Sequence, residues 1–262
     1  MQCRTCDSEN VRKVPHTMKK KCTAILLAAG AGRRMESDIA KQYMMLCGKP
    51  VIWYGLQAFE QCSLIDDCIL VVGKGEVSYA RKEIVEKYGF KKISAITEGG
   101  AERFLSVEGA LQIIRERRQA QPEEGYLFIH DGARPLVTEK IIEDTYYAAV
   151  TFGAVCAAMP VKDTIKVADE KGFAKATPDR SSLFAVQTPQ VFETCVILEA
   201  YELLMQNLDR LNAAGIRITD DAMVVEQMLH KPVKLVESSY ENIKITTPED
   251  LEVATSFLSH RN

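Results

Sequence analysis

Tryptophan occurs once in these 262 residues, histidine four times, and nowhere does an apolar run reach the eighteen or more residues that a bilayer-spanning helix needs. The first twenty residues are polar, which excludes the apolar core of a secretory signal. No sign of charge dominates either: 33 Lys and Arg stand against 36 Asp and Glu, for a formal net charge of -3. Proteins that grip nucleic acid carry a basic face able to neutralise many phosphates, so neither nucleic acid nor membrane is an expected partner. The chain is expected to be cytoplasmic.

Eight cysteines (Cys3, Cys6, Cys22, Cys47, Cys62, Cys68, Cys156 and Cys195) are scattered without the dense spacing of a secreted disulfide scaffold. Most therefore read as reduced, small core residues. Cys3 and Cys6 in "CRTC" have the spacing of a metal knuckle, yet a four-ligand zinc site needs a second pair, and only His16 and Cys22 follow within twenty residues. Residues 1–21 show no apolar periodicity and end in "MKKK", so they are expected to form a solvated extension ahead of one large domain, residues 22–262.

What is present from Thr23 onward is an alternation of short apolar runs and amphipathic stretches. "TAILLAA", "DDCILVVG", "KISAITEGG" and "GYLFIHDGARP" read as strands, with helices "VIWYGLQAFEQC", "VSYARKEIVEKYG" and "SVEGALQIIRERRQA" between them. Strands apolar on both sides and joined by helices form right-handed crossovers, so the expected fold is α/β, a doubly wound and mostly parallel sheet. The second half adds a strand at "GAVCAAMP" and a polar-apolar alternation around "DEKG", which signals a projecting hairpin arm over approximately 160–187. An exposed arm of that kind needs cover, and a second copy of the chain supplies it most simply, so a homodimer is expected. Helices "FETCVILEAYELLMQNLDRLNAAG", "TDDAMVVEQMLH" and "TPEDLEVATSFLSH" and the strand "VKLVESS" complete the pattern, with Thr247 as the last helix's N-cap.

The turn after the first strand, "LLAAGAGRRMESDIAKQY", gathers Arg33, Arg34 and Lys41 on a loop of small residues. Ligands of open parallel sheets bind where strands end and helices begin. Ala28, Ala29, Gly30, Ala31 and Gly32 lack bulk, so backbone N–H groups can reach a phosphate. The turn fits neither common glycine motif: Met35 stands where the dinucleotide fingerprint needs a third small residue, and Arg33 and Arg34 stand where a P-loop has Lys-Ser/Thr. Cations fixed beside such a cradle stabilise charge that grows during displacement at phosphorus.

Other loops converge on the same edge. "FIHDGARP" ends a strand with His130 and Asp131, a carboxylate suited to Mg²⁺ beside substrate phosphates, with His130 read as structural. "TEGGAERFLSV" supplies a second glycine turn with Ser106, and "ENIKITTPEDL" places Lys244 in an apolar stretch read as a strand, where a lysine needs an anionic partner or an exposed edge.

The set "LAAGAGRRM", "KQY", "GGAERFLSV", "HDGARP", "KDTIK", "QTPQVF", "ITDDA" and "ENIKITTPEDL", in this order, resembles the 2-C-methyl-D-erythritol 4-phosphate cytidylyltransferase family over roughly Thr23 to Leu258. The resemblance implies a Rossmann-like nucleotidyltransferase that uses CTP as co-substrate and Mg²⁺ as metal. It implies that Arg34 and Lys41 stabilise the pentacoordinate phosphorus while Arg180 and Lys244 position the acceptor. Ala28, Ala29, Gly30 and Gly32 would hold the CTP phosphates, with Gly100, Ala101 and Ser106 at the cytosine. Asp131 would lie at the metal and beside Gly132, and Arg134, Thr164, Thr188 and Thr219 would line the acceptor site. Thr164 and Arg180 would serve the partner subunit's site through the arm. Two departures stand out: Ala101 where some relatives carry an acidic residue, and Gly132 where alanine is common. A ribitol-5-phosphate cytidylyltransferase shares much of this set, but "LAAG", "GRRM" and "TDDA" stand here in place of its "LAGG", "GSRM" and "SDA". A non-catalytic nucleotide binder would have no need of so many placed cations.

Overall fold

The structure, a computed structural model, describes residues 19–30, 40–121 and 124–261. The sheet begins with β1 (Lys21–Ala28), β4 (Asp67–Val72), β5 (Ile93–Glu98) and β6 (Gly125–Asp131), and β2 (Met45–Leu46) and β3 (Lys49–Pro50) form a small separate hairpin. β7 (Ala154–Pro160), β10 (Phe184–Glu193) and β11 (Lys234–Glu237) extend the sheet, while β8 (Val167–Ala168) and β9 (Ala174–Ala176) pair outside it. The seven strands lie in the order β11-β7-β10-β6-β1-β4-β5. All neighbours are parallel except β10, which runs antiparallel to both β6 and β7.

Period-two alternation divides the core between the two faces. From β1, Ala24, Leu26 and Ala28 point to one side and Ile25 to the other; from β6, Tyr126 and Phe128 oppose Leu127 and Ile129. The first face is covered by α1 (Val51–Gln61), α4 (Glu139–Phe152) and the helical stretch that begins at α2 (Val77–Tyr79) and continues in wider turns over Ala80–Glu86. The second is covered by α3 (Arg103–Ala120), α5 (Thr194–Ala213) and α6 (Asp221–Leu229). Every residue of β6 is buried, as a central strand with helices on both sides requires. Truncating Phe128, fully buried here, would cost about 3–5 kcal/mol.

The helix ends are set by ordinary capping chemistry. Thr247 caps α7 (Pro248–Ser259) in a full capping box with Asp250, as the sequence predicted. Asp220 caps α6 by accepting from the Met223 amide, 3.1 Å. Gly153 closes α4 at φ 76°, a left-handed turn that a side chain would strain.

Two expectations change. Lys244 lies in an extended segment that pairs with no strand, although Ile245 donates its amide to Ala133 O, 2.8 Å. β1 begins at Lys21, within the stretch expected to be solvated, because Lys19 and Lys20 already reach Asp66 and Glu124 at 2.7 and 2.8 Å. The arm is present between β7 and β10: β8 and β9 pair antiparallel, and residues 162–177 are all exposed. Among the described residues no helix is long and apolar enough to cross a membrane.

Candidate active site

Two cavities open at the carboxyl ends of the parallel strands. The first, about 550 Å³, is floored by Ala28, Ala29 and Gly30 after β1 and walled by Lys41, Gly100 and Ser106. The second, about 460 Å³, is lined by Arg134, Thr188, Gln190 and Thr219. Arg103, Asp131 and Lys244 line both, so the cavities share one charged wall. A larger cavity of about 790 Å³ opens at the opposite edge of the sheet, where Arg117 pairs with Asp67 at 2.7 Å and both Asp67 oxygens are taken by Arg117, Thr23 and Ser94. The carboxyl-end pair is the candidate site, since ligands of open parallel sheets bind at that edge.

Close backbone approach shapes the first cavity. A Cβ on Gly99 would stand 2.3 Å from Ala29 Cβ and 2.7 Å from Ser106 Oγ, so only glycine lets the β5 turn close against the β1 turn. Ser106 Oγ accepts from the Gly100 amide at 3.1 Å and donates to Glu102 O at 3.3 Å, so its hydroxyl holds the turn as well as lining the cavity. Ala101 lines the same wall, and Lys74, on the turn after β4, reaches it from the far side. Lys41 reaches the end of the β1 turn, its Cε 3.9 Å from where a Gly30 Cβ would be.

The shared wall is built around Asp131, at the end of β6. Its Oδ2 receives Lys244 Nζ at 2.7 Å, its Oδ1 receives Arg103 Nε at 3.3 Å, and Arg134 Nε stands 4.0 Å away. Burial pushes this carboxyl up, but Arg103, Lys244 and Arg134 together hold it well below the usual carboxylate range, so it is ionised. Arg134 donates from Nη1 to Asn242 O at 2.8 Å, while its buried Nε has no hydrogen-bond partner among the described residues.

His130 is buried and structural, as expected. Burial lowers its pKa to about 4, so the ring is neutral. The Asp131 amide donates to Thr188 Oγ1 at 3.0 Å, the Thr188 hydroxyl lies 3.1 Å from His130 Nδ1, and Nε2 lies 3.1 Å from Arg134 O. Because Arg134 O can only accept, the network assigns the proton to Nε2 and the Thr188 donor to Nδ1. Asn242, fully buried, donates to Gln187 Oε1 at 3.0 Å and Thr188 O at 2.9 Å, tying the Lys244 segment to β10.

The sequence-predicted residues are thus mostly brought together: Ala28, Ala29, Gly30, Lys41, Gly100, Ala101, Ser106, Asp131 and Lys244 at the first cavity, and Asp131, Arg134, Thr188, Thr219 and Lys244 at the second. Gly132 lines neither; its amide donates to Leu27 O at 2.8 Å, and a Cβ there would approach that oxygen to 3.0 Å. Thr164 and Arg180 sit on the exposed arm away from both cavities, Arg180 donating to Lys162 O at 2.7 Å. Gly32, Arg33, Arg34, Cys3 and Cys6 lie outside the described residues. Residues missed by sequence reasoning are Arg103, Asp221, Asn242 and Lys74; the first three lie inside quoted motifs, where a buried charge or amide reads like a solvated one.

Comparison with known proteins agrees with this geometry. The family model described as 2-C-methyl-D-erythritol 4-phosphate cytidylyltransferase matches residues 22–260. A protein of that name from Lachnospira eligens is 50% identical over 236 residues, covering 90% of this chain and 98% of the relative. Another, from Lachnoclostridium phytofermentans, is 44% identical over 239 residues, covering 91% and 97%. The crystal structure of 4-diphosphocytidyl-2C-methyl-D-erythritol synthase from Anaerococcus prevotii superposes with a TM-score of 0.75 at 32% identity, covering 92% of this chain and 97% of that one.

Proposed function

The chain belongs to the 2-C-methyl-D-erythritol 4-phosphate cytidylyltransferase family, and on that premise we propose that it transfers the cytidylyl group of CTP to 2-C-methyl-D-erythritol 4-phosphate, with release of pyrophosphate, in isoprenoid precursor synthesis. The observation that carries this reading is the wall that two cavities share, Arg103, Asp131 and Lys244. A transfer between two phosphates needs two anion-binding compartments that meet at the reacting atom, and the cations belong at the meeting point.

The acceptor's phosphate oxygen is already ionised near neutral pH, so it attacks the α-phosphorus directly. The bond from that phosphorus to the bridging oxygen breaks, and pyrophosphate leaves with the electron pair. No general base is required, which fits a site whose one histidine is buried and neutral. Ala28, Ala29 and Gly30 cradle the triphosphate, while Gly100, Ala101 and Ser106 bound the base. Lys41, together with Arg34, stabilises the five-coordinate phosphorus. Arg134, Thr188, Thr219 and Lys244 hold the acceptor, a role supported by their place in the lining of the second cavity.

Magnesium is part of the same proposal. It is commonly held by one or two carboxylates with the remaining positions filled by phosphate and water, and the wall provides one ionised carboxylate, Asp131, beside the phosphate cradle. Asp131 would hold the ion, and the bound ion would neutralise charge on the triphosphate. Among the described residues no cluster of three His, Cys, Asp or Glu side chains competes for it.

We extend the reading to a homodimer in the cytoplasm, where CTP is made. The arm supports the dimer: Ile165, Val167 and Phe173 are 38%, 45% and 70% exposed, apolar surface that a second copy would cover. Thr164 and Arg180 then reach the partner's acceptor cavity. Incubation of the full chain with CTP, Mg²⁺ and 2-C-methyl-D-erythritol 4-phosphate should yield pyrophosphate and the cytidine diphosphate product. Turnover with ribitol 5-phosphate in its place would overturn the acceptor assignment.

A further inference from the structure

Behind the shared wall lies a buried polar chain that touches neither ligand compartment at its far end. Tyr201, fully buried on α5 and lining neither cavity, donates its hydroxyl to Asp221 Oδ1 at 2.6 Å. Asp221, fully buried in the first turn of α6, receives Arg103 Nη2 on Oδ2 at 2.7 Å. Arg103, the first residue of α3, reaches forward through Nε to Asp131 Oδ1 at 3.3 Å. The sequence Tyr201, Asp221, Arg103, Asp131, Lys244 therefore runs from the back of the second core to the mouth of the site.

Stability alone does not call for such a chain. A buried ion pair is often replaced by apolar side chains of similar volume at no loss, because desolvation consumes most of its Coulomb attraction. What the ions supply here is orientation. Arg103 must address two carboxylates on different elements at once, which a planar guanidinium fork does and a lysine point charge does not. With Oδ1 of Asp131 held from behind, Oδ2 is left facing Lys244 at the junction of the two cavities.

We infer that Tyr201, Asp221 and Arg103 form a positioning relay that fixes the Asp131 carboxylate, and through it Lys244, at the point where the two phosphates meet. The inference rests on the proposed transfer reaction and adds to it Tyr201 and Asp221, which act through Arg103. Because a misplacement of about 1 Å can cost about a hundredfold in rate, the relay should be visible in turnover and nearly silent in nucleotide affinity.

The test uses the full-length protein. Tyr201→Phe removes one hydroxyl without changing side-chain shape; kcat should fall about tenfold while KM for CTP stays within about twofold. Arg103→Lys keeps the charge and loses the fork, and its kcat should fall at least as far. The double variant Arg103→Met with Asp221→Leu removes both buried charges together, which separates folding from positioning. Its melting temperature should match or exceed that of the parent while its kcat stays about a hundredfold down. Parental kcat in Tyr201→Phe or in the stable double variant overturns the relay. A crystal structure of the double variant supplies a reading independent of turnover: a rotated Asp131 carboxylate is expected, and an unmoved one overturns the inference. If the parent itself fails to turn over, the reaction assignment falls, while the position of that carboxylate still decides the relay.

Discussion

Lys244 Nζ lies 2.7 Å from Asp131 Oδ2, an ion pair within the wall that the two cavities share. Both groups belong to segments that end structure rather than form it: Asp131 ends β6, and Lys244 sits in an unpaired extended stretch before α7. Replacing Lys244 by Met, which keeps the length and removes the charge, should lower kcat by about a hundredfold or more. Steady-state kinetics with both substrates check this, with parental turnover as the contrary result.

In the proposed reaction the cradle cations act at a different moment from the cradle backbone. Lys41→Ala and Arg34→Ala should each reduce kcat by about a hundredfold while weakening CTP binding far less, since the lost contact belongs to the transition state. Calorimetric CTP binding beside kinetics separates the two, and unchanged turnover would refute the assignment.

Gly99 offers the opposite dissection. Alanine at that position would force Cβ to 2.3 Å from Ala29 and 2.7 Å from Ser106 Oγ, prising the β5 turn away from the β1 turn. Gly99→Ala should therefore raise KM for CTP at least about tenfold, because a backbone that must shift loses several contacts together. Nucleotide affinity equal to the parent's would show that the two turns need not close.

The arm predicts complementation between defective chains. Arg180→Ala and Lys244→Ala homodimers should each be nearly inactive. Mixed and allowed to exchange, they should recover about a quarter of parental activity, because half of the dimers are mixed and each of those has one intact site. No recovery, in a mixture shown by mass spectrometry to exchange, would place Arg180 in its own subunit's site.

Thiol reactivity follows the burial of the cysteines. Burial pushes the thiols of Cys22 and Cys156 up to about 12, and raises those of Cys62 and Cys68 as well, whereas Cys47 and Cys195 are exposed. The thiolate is the reactive form. Iodoacetamide at pH 8 should alkylate Cys47 and Cys195 in the native protein and leave the four buried cysteines unmodified, as peptide mapping would report.

The sequence spoke most clearly where one physical signal acted alone. "DDCILVVG" and "KISAITEGG" became β4 and β5 because apolar runs between turns have few other uses, and Thr247 became an N-cap because Pro248 and Asp250 follow it. Direction was harder: nothing in "QTPQVF" tells that β10 runs against its neighbours, since antiparallel placement depends on how the arm returns to the sheet. Lys244 reads as a strand residue because Ile243 and Ile245 on either side of it pack into the same cluster under α7, a period-two pattern that a segment without a strand partner can share. Within "TDDA", Asp220 caps the helix and Asp221 disappears into the core, a difference that one-dimensional charge patterning does not carry. Arg103 was hidden for the same reason, as its two carboxylate partners lie 28 and 118 positions away.

β10 has a consequence for how this protein tolerates change. Its outer end begins at Phe184 on the arm, its inner end pairs with the central strand β6, and between them Thr188 meets the Asp131 amide and His130. Substitution at the exposed polar turn residues Glu170 and Lys171 disturbs only a local hairpin. Substitution at the root, by contrast, pulls on Thr188 and with it on the lining of the second cavity.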